Sequence, residues 1–366
     1  MHLQQLRVEL YRNIASVRLE PSRTLTILYG NNGQGKTNLL EAIGMLGSGR
    51  AFRTSKIHDL IQHNAQSSIV AGQIQAAGME SRLILHLQGT TRRFSIDGKA
   101  VQRAAELHGK LATVLFSPDD TAMVKLGPET RRRFLDRSLY SSNTSFLHDY
   151  HTYYRTLKQR NALLKNNRQQ ELILWTEQLA RAGARLMEHR AQYVLKLELL
   201  LQKQYARISN QAETVAVQYC PDVVTGADPA AELLQALHNQ YEYDLRYKTT
   251  GCGPHRDDLQ FLINGRPLKG FGSQGQQRSF VLALKLAELD HLQQTFGEEP
   301  ILLLDDIASE LDRERITNLL DYLRQREVQV LITTTDVTPF QAVLQQDSRL
   351  FRVDGGTLTY EGNGVS

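Results

Sequence analysis

Residues Gly30 to Thr37 read GNNGQGKT, three glycines followed by a lysine and a threonine at the spacing of a loop that cradles phosphate. Glycine lets backbone N–H groups come close to phosphate oxygens, and a helix opening near Lys36 adds its positive end. Lys36 would then meet the β and γ phosphates and Thr37 a magnesium ion. With Gly30, Asn31, Asn32, Gly33, Gln34, Gly35 and the following Asn38, these residues are expected to form an ATP–Mg2+ site. A second group lies far downstream in ILLLDD, Ile301 to Asp306, where an apolar strand delivers two carboxylates to its C-terminal edge. Asp305 is expected to hold the metal, directly or through water, and Asp306 to orient or deprotonate an attacking water.

A third group precedes that strand. Phe271 to Arg278, FGSQGQQR, opens a helix and resembles the signature motif of ABC-class ATPases. The resemblance implies that Ser273, Gly275 and Gln276 bind the γ-phosphate of a nucleotide held by an opposite subunit, through N–H groups and the helix dipole. A chain with both motifs carries half of two sites, so ATP would close a head-to-tail homodimer. Lys36, Asp305, Asp306 and Ser273 are then the expected catalytic set. Taken alone, Ser273 is equally suited to cap its helix. Ser309-Glu310-Leu311-Asp312 resembles the D-loop that crosses the same interface and would bring Asp312 to the nucleotide, although Ser309 and Asp312 are also ordinary helix caps.

These groups need strands and helices to hold them. LQQLRVELYRNIASVRLE reads as strands, and TLTILYG runs straight into the glycine-rich loop. SSIVAGQIQ, SRLILHLQ and RRFSID follow, the last closing on Asp97-Gly98, which makes a β-rich N-terminal lobe. From Glu129 to Cys220 there is no proline and a single glycine, Gly183, which predicts long helices. Apolar residues recur at Leu147, Tyr150, Tyr154, Leu157 and Leu164, then at Leu172, Trp175, Leu179, Ala182 and Leu186. This spacing predicts two packed antiparallel helices that turn within Lys165 to Gln170 and form a short arm. LQFLING then reads as a strand, Gln274 to Thr295 as a helix, Asp312 to Arg324 as another, VQVLITTT as a strand, and the residues around Asp354-Gly355-Gly356 as a last strand pair. The expected fold is α/β: an ABC-type ATPase head, mixed β lobe plus P-loop α/β lobe, split between 1–125 and 245–366, with an inserted, mainly helical arm domain at 126–244.

The chain has 366 residues, 41% hydrophobic and 22% charged, with no run long and apolar enough for a membrane helix. No membrane partner and a cytoplasmic location are expected. Its two cysteines, Cys220 and Cys252, show no metal-ligand spacing, and Cys252 reads as a small buried residue. The net charge is +4, yet between Arg131 and Asn210 fifteen Lys and Arg stand against six Asp and Glu. The basic middle suggests phosphate contacts to DNA, without base readout, from Arg131, Arg132, Arg133, Arg155, Lys158, Arg160, Arg181 and Arg185. A solvated helix face would carry the same charges.

Three further stretches carry a family resemblance across nearly the whole chain: FSPDDTAMVKLGPETRRRFLD at Phe116 to Asp136, GPHRDD at Gly253 to Asp258, and LLDDIASELDRERITNLL at Leu303 to Leu320. They resemble the RecF family of SMC-related ATPases. That resemblance implies an ATP-dependent homodimer on gapped or junction DNA, slow hydrolysis as a release step, and work with RecO and RecR in loading RecA during repair and replication restart. GPHRDD itself suggests no chemical role. Thr335 stands where transporters place a histidine, Asp306 where a glutamate is usual, and Ser117 to Asp120 where a Q-loop glutamine would fall. Arg53 resembles an arginine that SMC relatives place near the nucleotide, or is simply an exposed arginine. The alternative is an ABC transporter ATP-binding subunit. Against it, 243 residues separate Gly30 from Ser273, and the excess is a basic helical arm. A full SMC protein would need far more heptad sequence.

Overall fold

A computed structural model describes residues 1–51, 53–54, 56–166, 168–209, 213–224, 226–311 and 313–362. The chain divides into two compact units: Met1–Thr121 with Arg207–Asn210 and Arg278–Ser366, and Ala122–Ala206 with Gln211–Gln277.

The first unit contains two six-stranded sheets. One is antiparallel, in the order Ile14–Leu19, His2–Tyr11, Ser67–Ala76, Met79–Gln88, Thr91–Ile96 and Lys99–Ala100. Its strands alternate buried and exposed residues along much of their length, as expected where one face meets the core. The other runs Thr357–Gly362, Arg349–Asp354, Leu25–Tyr29, Val330–Thr334, Ile301–Asp305, Thr113–Phe116, and all its pairings are parallel except that of the first strand. Ile301–Asp305 and Val330–Thr334 are buried at every position, so they read as apolar runs and not as alternating patterns. The helix Lys36–Ser48 packs Leu39, Leu40, Ile43, Met45 and Leu46 into one cluster with residues of both sheets. It stops at Gly49, whose φ of 68° is the left-handed cap a glycine tolerates best.

The second unit holds the helices Pro128–Ser142, Thr144–Lys165 and Gln169–Ile208, a three-stranded antiparallel sheet, and the shorter helices Pro229–Asn239 and Tyr241–Tyr247. Asn143 caps the second of these, its side-chain oxygen accepting from the N–H groups of Ser145 and Phe146. The first helix of the hairpin ends at Lys165 and the second opens at Gln169, where the turn is expected. The helix after it has 40 residues, about 60 Å at 1.5 Å per residue, so this arm is longer than the short hairpin expected.

Two expectations are corrected here. Val215–Cys220 is a strand, not helix, because it pairs along its whole length with Asp258–Ile263. That pairing also moves the boundary: 245–277, expected in the head, belongs to the second unit, and the chain returns to the first at Arg278.

Candidate functional site

The strand Leu25–Tyr29 runs into a loop whose three glycines have backbone angles that favour glycine. Gly30, Gly33 and Gly35 have φ of 151°, 79° and 111°. A Cβ at Gly30 would sit 2.3 Å from the Val353 carbonyl oxygen, and one at Gly35 2.9 Å from the Asn13 side chain. Distant elements pin the loop. The Gly356 N–H donates to the Gln34 carbonyl at 2.9 Å, the Gly355 N–H to its side-chain oxygen at 2.6 Å, and Asn38 Nδ2 to Asn13 Oδ1 at 2.8 Å. Lys36 is buried, and its ammonium donates to the carbonyls of Gly30 and Asn31 at 2.6 and 2.8 Å. Burial lowers its pKa, opposed by the nearby carboxylates of Asp306 and Asp305. The first N–H groups of the helix have no acceptor within it, so the loop offers oriented donors with a cation beside them.

Two strand ends supply the rest. Thr37 Oγ1 donates to Asp305 Oδ1 at 2.7 Å, and Thr333 Oγ1 donates to the same oxygen at 2.6 Å. This is an all-oxygen donor pair in a cleft of about 340 Å3. Magnesium takes six oxygens at about 2.0–2.1 Å, so Thr37 and Asp305 suit it once phosphate and water complete the shell. The cleft brings together Asn32 to Asn38, Asp305 and Asp306. It adds Arg53, whose guanidinium donates to Asn38 Oδ1 at 3.1 Å, and also Pro118 and Thr333. Asn13 and Thr333 carry no motif, and Pro118 falls within Ser117 to Asp120, where a Q-loop glutamine would stand. Thr333 stands two residues before the position of the missing histidine, and its hydroxyl contacts both Asp305 and Asp306.

Asp306 has φ 49° and ψ 41°, and its N–H donates to the Thr333 carbonyl at 3.1 Å and to Thr333 Oγ1 at 3.0 Å. A left-handed conformation in a non-glycine residue is strained, and here it sets the direction of a carboxylate in the cleft. Asp306→Gly is expected to be more stable than Asp306→Ala by about 1 kcal/mol, because glycine takes the left-handed backbone without a Cβ clash. A thermal midpoint no higher in the glycine variant than in the alanine variant would show that the backbone angle carries no strain.

The segment after Thr113–Phe116 has no glutamine, yet it is firmly placed. Asp120 accepts from the Ser117 N–H at 2.8 Å and stands 3.2 Å from Lys285, a fully buried ammonium on the helix Gln274–Phe296. Arg278, on the same helix, pairs at 2.9 Å with Glu310, just beyond the acidic strand.

Ser273, Gly275 and Gln276 lie in the second unit. The Ser273 N–H donates to Gln276 Oε1 at 2.6 Å and the Gln276 N–H to Ser273 Oγ at 3.2 Å, a reciprocal helix cap. Ser273 is exposed and nothing crowds Gly275 but that serine. Asp312 lies outside the described residues.

The eight basic candidates do not form one surface. Arg160 is a correction: it is fully buried, paired with Asp244 at 2.6 Å and donating to Thr176 and Thr250, so it meets no solvent. Arg131 forks onto Asp258 at 2.7 and 2.8 Å and donates to two carbonyls, and Arg132 donates to the Asp257 carbonyl. Arg133, Arg155, Lys158, Arg181 and Arg185 are the ones facing solvent, with Arg133, Arg181 and Arg185 in surface ion pairs. GPHRDD acquires a role: Asp257 pairs with buried Arg190 at 2.8 Å, and His255 accepts or donates at 2.7 Å with the Tyr153 hydroxyl. Cys252 is buried as expected, and burial pushes its thiol up to about 11.

Residues 2–359 match the family model described as RecF/RecN/SMC N terminal domain, which defines the class: an SMC-type ATPase head carrying an arm. The chain is 66% identical over 367 residues to the DNA replication and repair protein RecF of Trichlorobacter lovleyi, covering all of both chains. It is 44% identical to that of Geobacter sulfurreducens, over 98% of this chain and 100% of the relative. A solved structure of the recombination mediator protein RecF with ATP, in the RecFOR pathway, matches with a TM-score of 0.90 at 32% identity, over 99% of this chain and 98% of that one. The chain belongs to the RecF family. Full-length membership leaves the transporter alternative without support.

Proposed function

We propose that this protein is an ATP-dependent DNA-binding protein of recombinational repair and replication restart. ATP binding closes a head-to-tail homodimer on junctions between single-stranded and double-stranded DNA, and slow, DNA-stimulated hydrolysis reopens it. In the cytoplasm the dimer acts with RecO and RecR to place RecA at gaps. The observation that carries this reading is the 2.7 Å contact between Thr37 and Asp305 inside a cleft lined by the glycine-rich loop. The relatives' names and the ATP in a solved relative support it. No helix among the described residues is long and apolar enough to cross a membrane.

In this mechanism Lys36 and the loop N–H groups hold the β and γ phosphates, exchanging the lysine's carbonyl partners for phosphate oxygens. Thr37 and Asp305 would hold a magnesium ion, whose charge would offset that of the phosphates. Asp306 accepts a proton from water or orients it, with a shorter reach than a glutamate, so turnover is expected below the roughly 10 s⁻¹ median of enzymes. Ser273, Gly275 and Gln276 of a second molecule complete the site. Arg133, Arg155, Lys158, Arg181 and Arg185 contact DNA phosphates without reading sequence.

Sedimentation velocity of the wild type, Lys36→Arg and Asp306→Asn, with and without ATP, tests the switch. The wild type is expected to dimerise with ATP, Lys36→Arg to remain monomeric, and Asp306→Asn to stay dimeric longer. A mass independent of ATP in all three would overturn the proposal.

A further inference from the structure

The helix Tyr241–Tyr247 is seven residues long, and its two sides differ sharply. Tyr241 and Leu245 pack against the cluster Leu163, Leu164 and Leu172 at the turn of the long hairpin. Asp244 is fully buried on Arg160, and it also accepts from the Gly251 N–H at 2.7 Å. The helix is therefore fixed by three inward side chains. Outward, Tyr243 and Tyr247 are 43% and 56% exposed, one helical turn apart, with ring centroids 4.4 Å apart. The Arg246 guanidinium lies 5.7 Å from the Tyr247 ring, and the exposed Lys248 follows in a left-handed cap.

Side-chain packing does not require this. Two tyrosines in contact on an anchored backbone stay about half in water, with the outer side of Tyr247 open, beside two cations against the exposed acid Glu242. Gly251 contributes by what it lacks: a Cβ there would come 2.9 Å from the Tyr243 ring, so the ring lies over bare backbone. Rigid exposed aromatics with adjacent cations are what unpaired bases stack upon, because every base has a π face and every linkage a charge. Base pairs in a duplex do not expose those faces.

We propose that Tyr243 and Tyr247, flanked by Arg246 and Lys248, form a stacking platform for unpaired bases of single-stranded nucleic acid. The platform rests on the DNA-binding reading above and adds to it a contact that distinguishes the single strand from the duplex. A fluorescein-labelled oligothymidylate and a blunt duplex, titrated by anisotropy in ATP and magnesium, test it. The double variant Tyr243→Ala/Tyr247→Ala is expected to lose single-strand affinity by roughly 5- to 150-fold, from about 1–3 kcal/mol for one stacked base. Duplex affinity and the salt dependence should not move, and Tyr243→Phe/Tyr247→Phe should bind like the wild type. Wild-type single-strand affinity in the alanine variant, equal losses on both DNAs, or loss in the phenylalanine variant would each overturn the platform alone. Failure of the wild type to bind either DNA would instead overturn the functional reading on which it rests.

Discussion

Replacing Arg190 with methionine is expected to destabilise the second unit by about 3–5 kcal/mol, the cost of leaving buried carboxylates without their cation. Arg190 is fully buried in the 40-residue helix. It forks onto Asp136 at 2.8 and 3.0 Å, meets Asp257 at 2.8 Å and donates to the Pro254 carbonyl at 2.6 Å. Burial alone would lower its pKa, but Asp136 and Asp257 outweigh that and hold it well above the usual arginine value. Methionine matches the length without the charge. Thermal scans would read the loss as a midpoint lowered by roughly 6–20 °C at pH 7. Arg185→Met provides the contrast. Its partner is Asp149 and it is half exposed, so it should cost less than about 1 kcal/mol. Equal small shifts for both would remove Arg190 from its structural role.

Asp305→Asn is expected to lower ATP turnover by about 10²–10³-fold, in keeping with the loss of one preorganised electrostatic contact. The reason is a mismatch of donors. Thr37 and Thr333 both donate to Asp305 Oδ1, and an amide in that place must either keep its oxygen there or turn an N–H toward two hydroxyls. In both orientations it brings no negative charge to a divalent cation. The separating measurement is calorimetric titration with ATP in magnesium and in EDTA. Wild-type affinity should depend strongly on the metal, while the variant's should respond little. A variant that binds and turns over ATP like the wild type in magnesium would dissociate Asp305 from the metal.

Arg160 and Arg190 show how much was legible and where it stopped. Arg160 follows Leu157 by three residues and precedes Leu164 by four, and Arg190 follows Leu186 by four. Each therefore stands within the apolar stripe of its helix. Helical phase places both inward, but the charge-based expectation made Arg160 a DNA contact and did not include Arg190. What phase cannot supply is the carboxylate that makes an inward arginine tolerable, and Asp244, Asp136 and Asp257 come from other elements. The strand Val215–Cys220 was hidden for a related reason. A segment without glycine or proline satisfies both helix and strand, and pairing with Asp258–Ile263 decided it.

The amino-acid sequence by itself determined the phosphate loop and the acidic pair, because each depends on a short run of backbone whose residue types are dictated locally. Glycine is needed where φ is positive, a lysine and threonine at the helix start, and carboxylates at a strand's end. It also determined the long helices, whose apolar spacing is a property of one segment. Only the tertiary structure decided that Asn13, Gln34 and Gly355–Gly356 brace the loop, that Thr333 shares Asp305 with Thr37, and that five of eight basic candidates face solvent. Those outcomes depend on which strands become neighbours in a sheet, and that is set by burial of both faces across hundreds of residues.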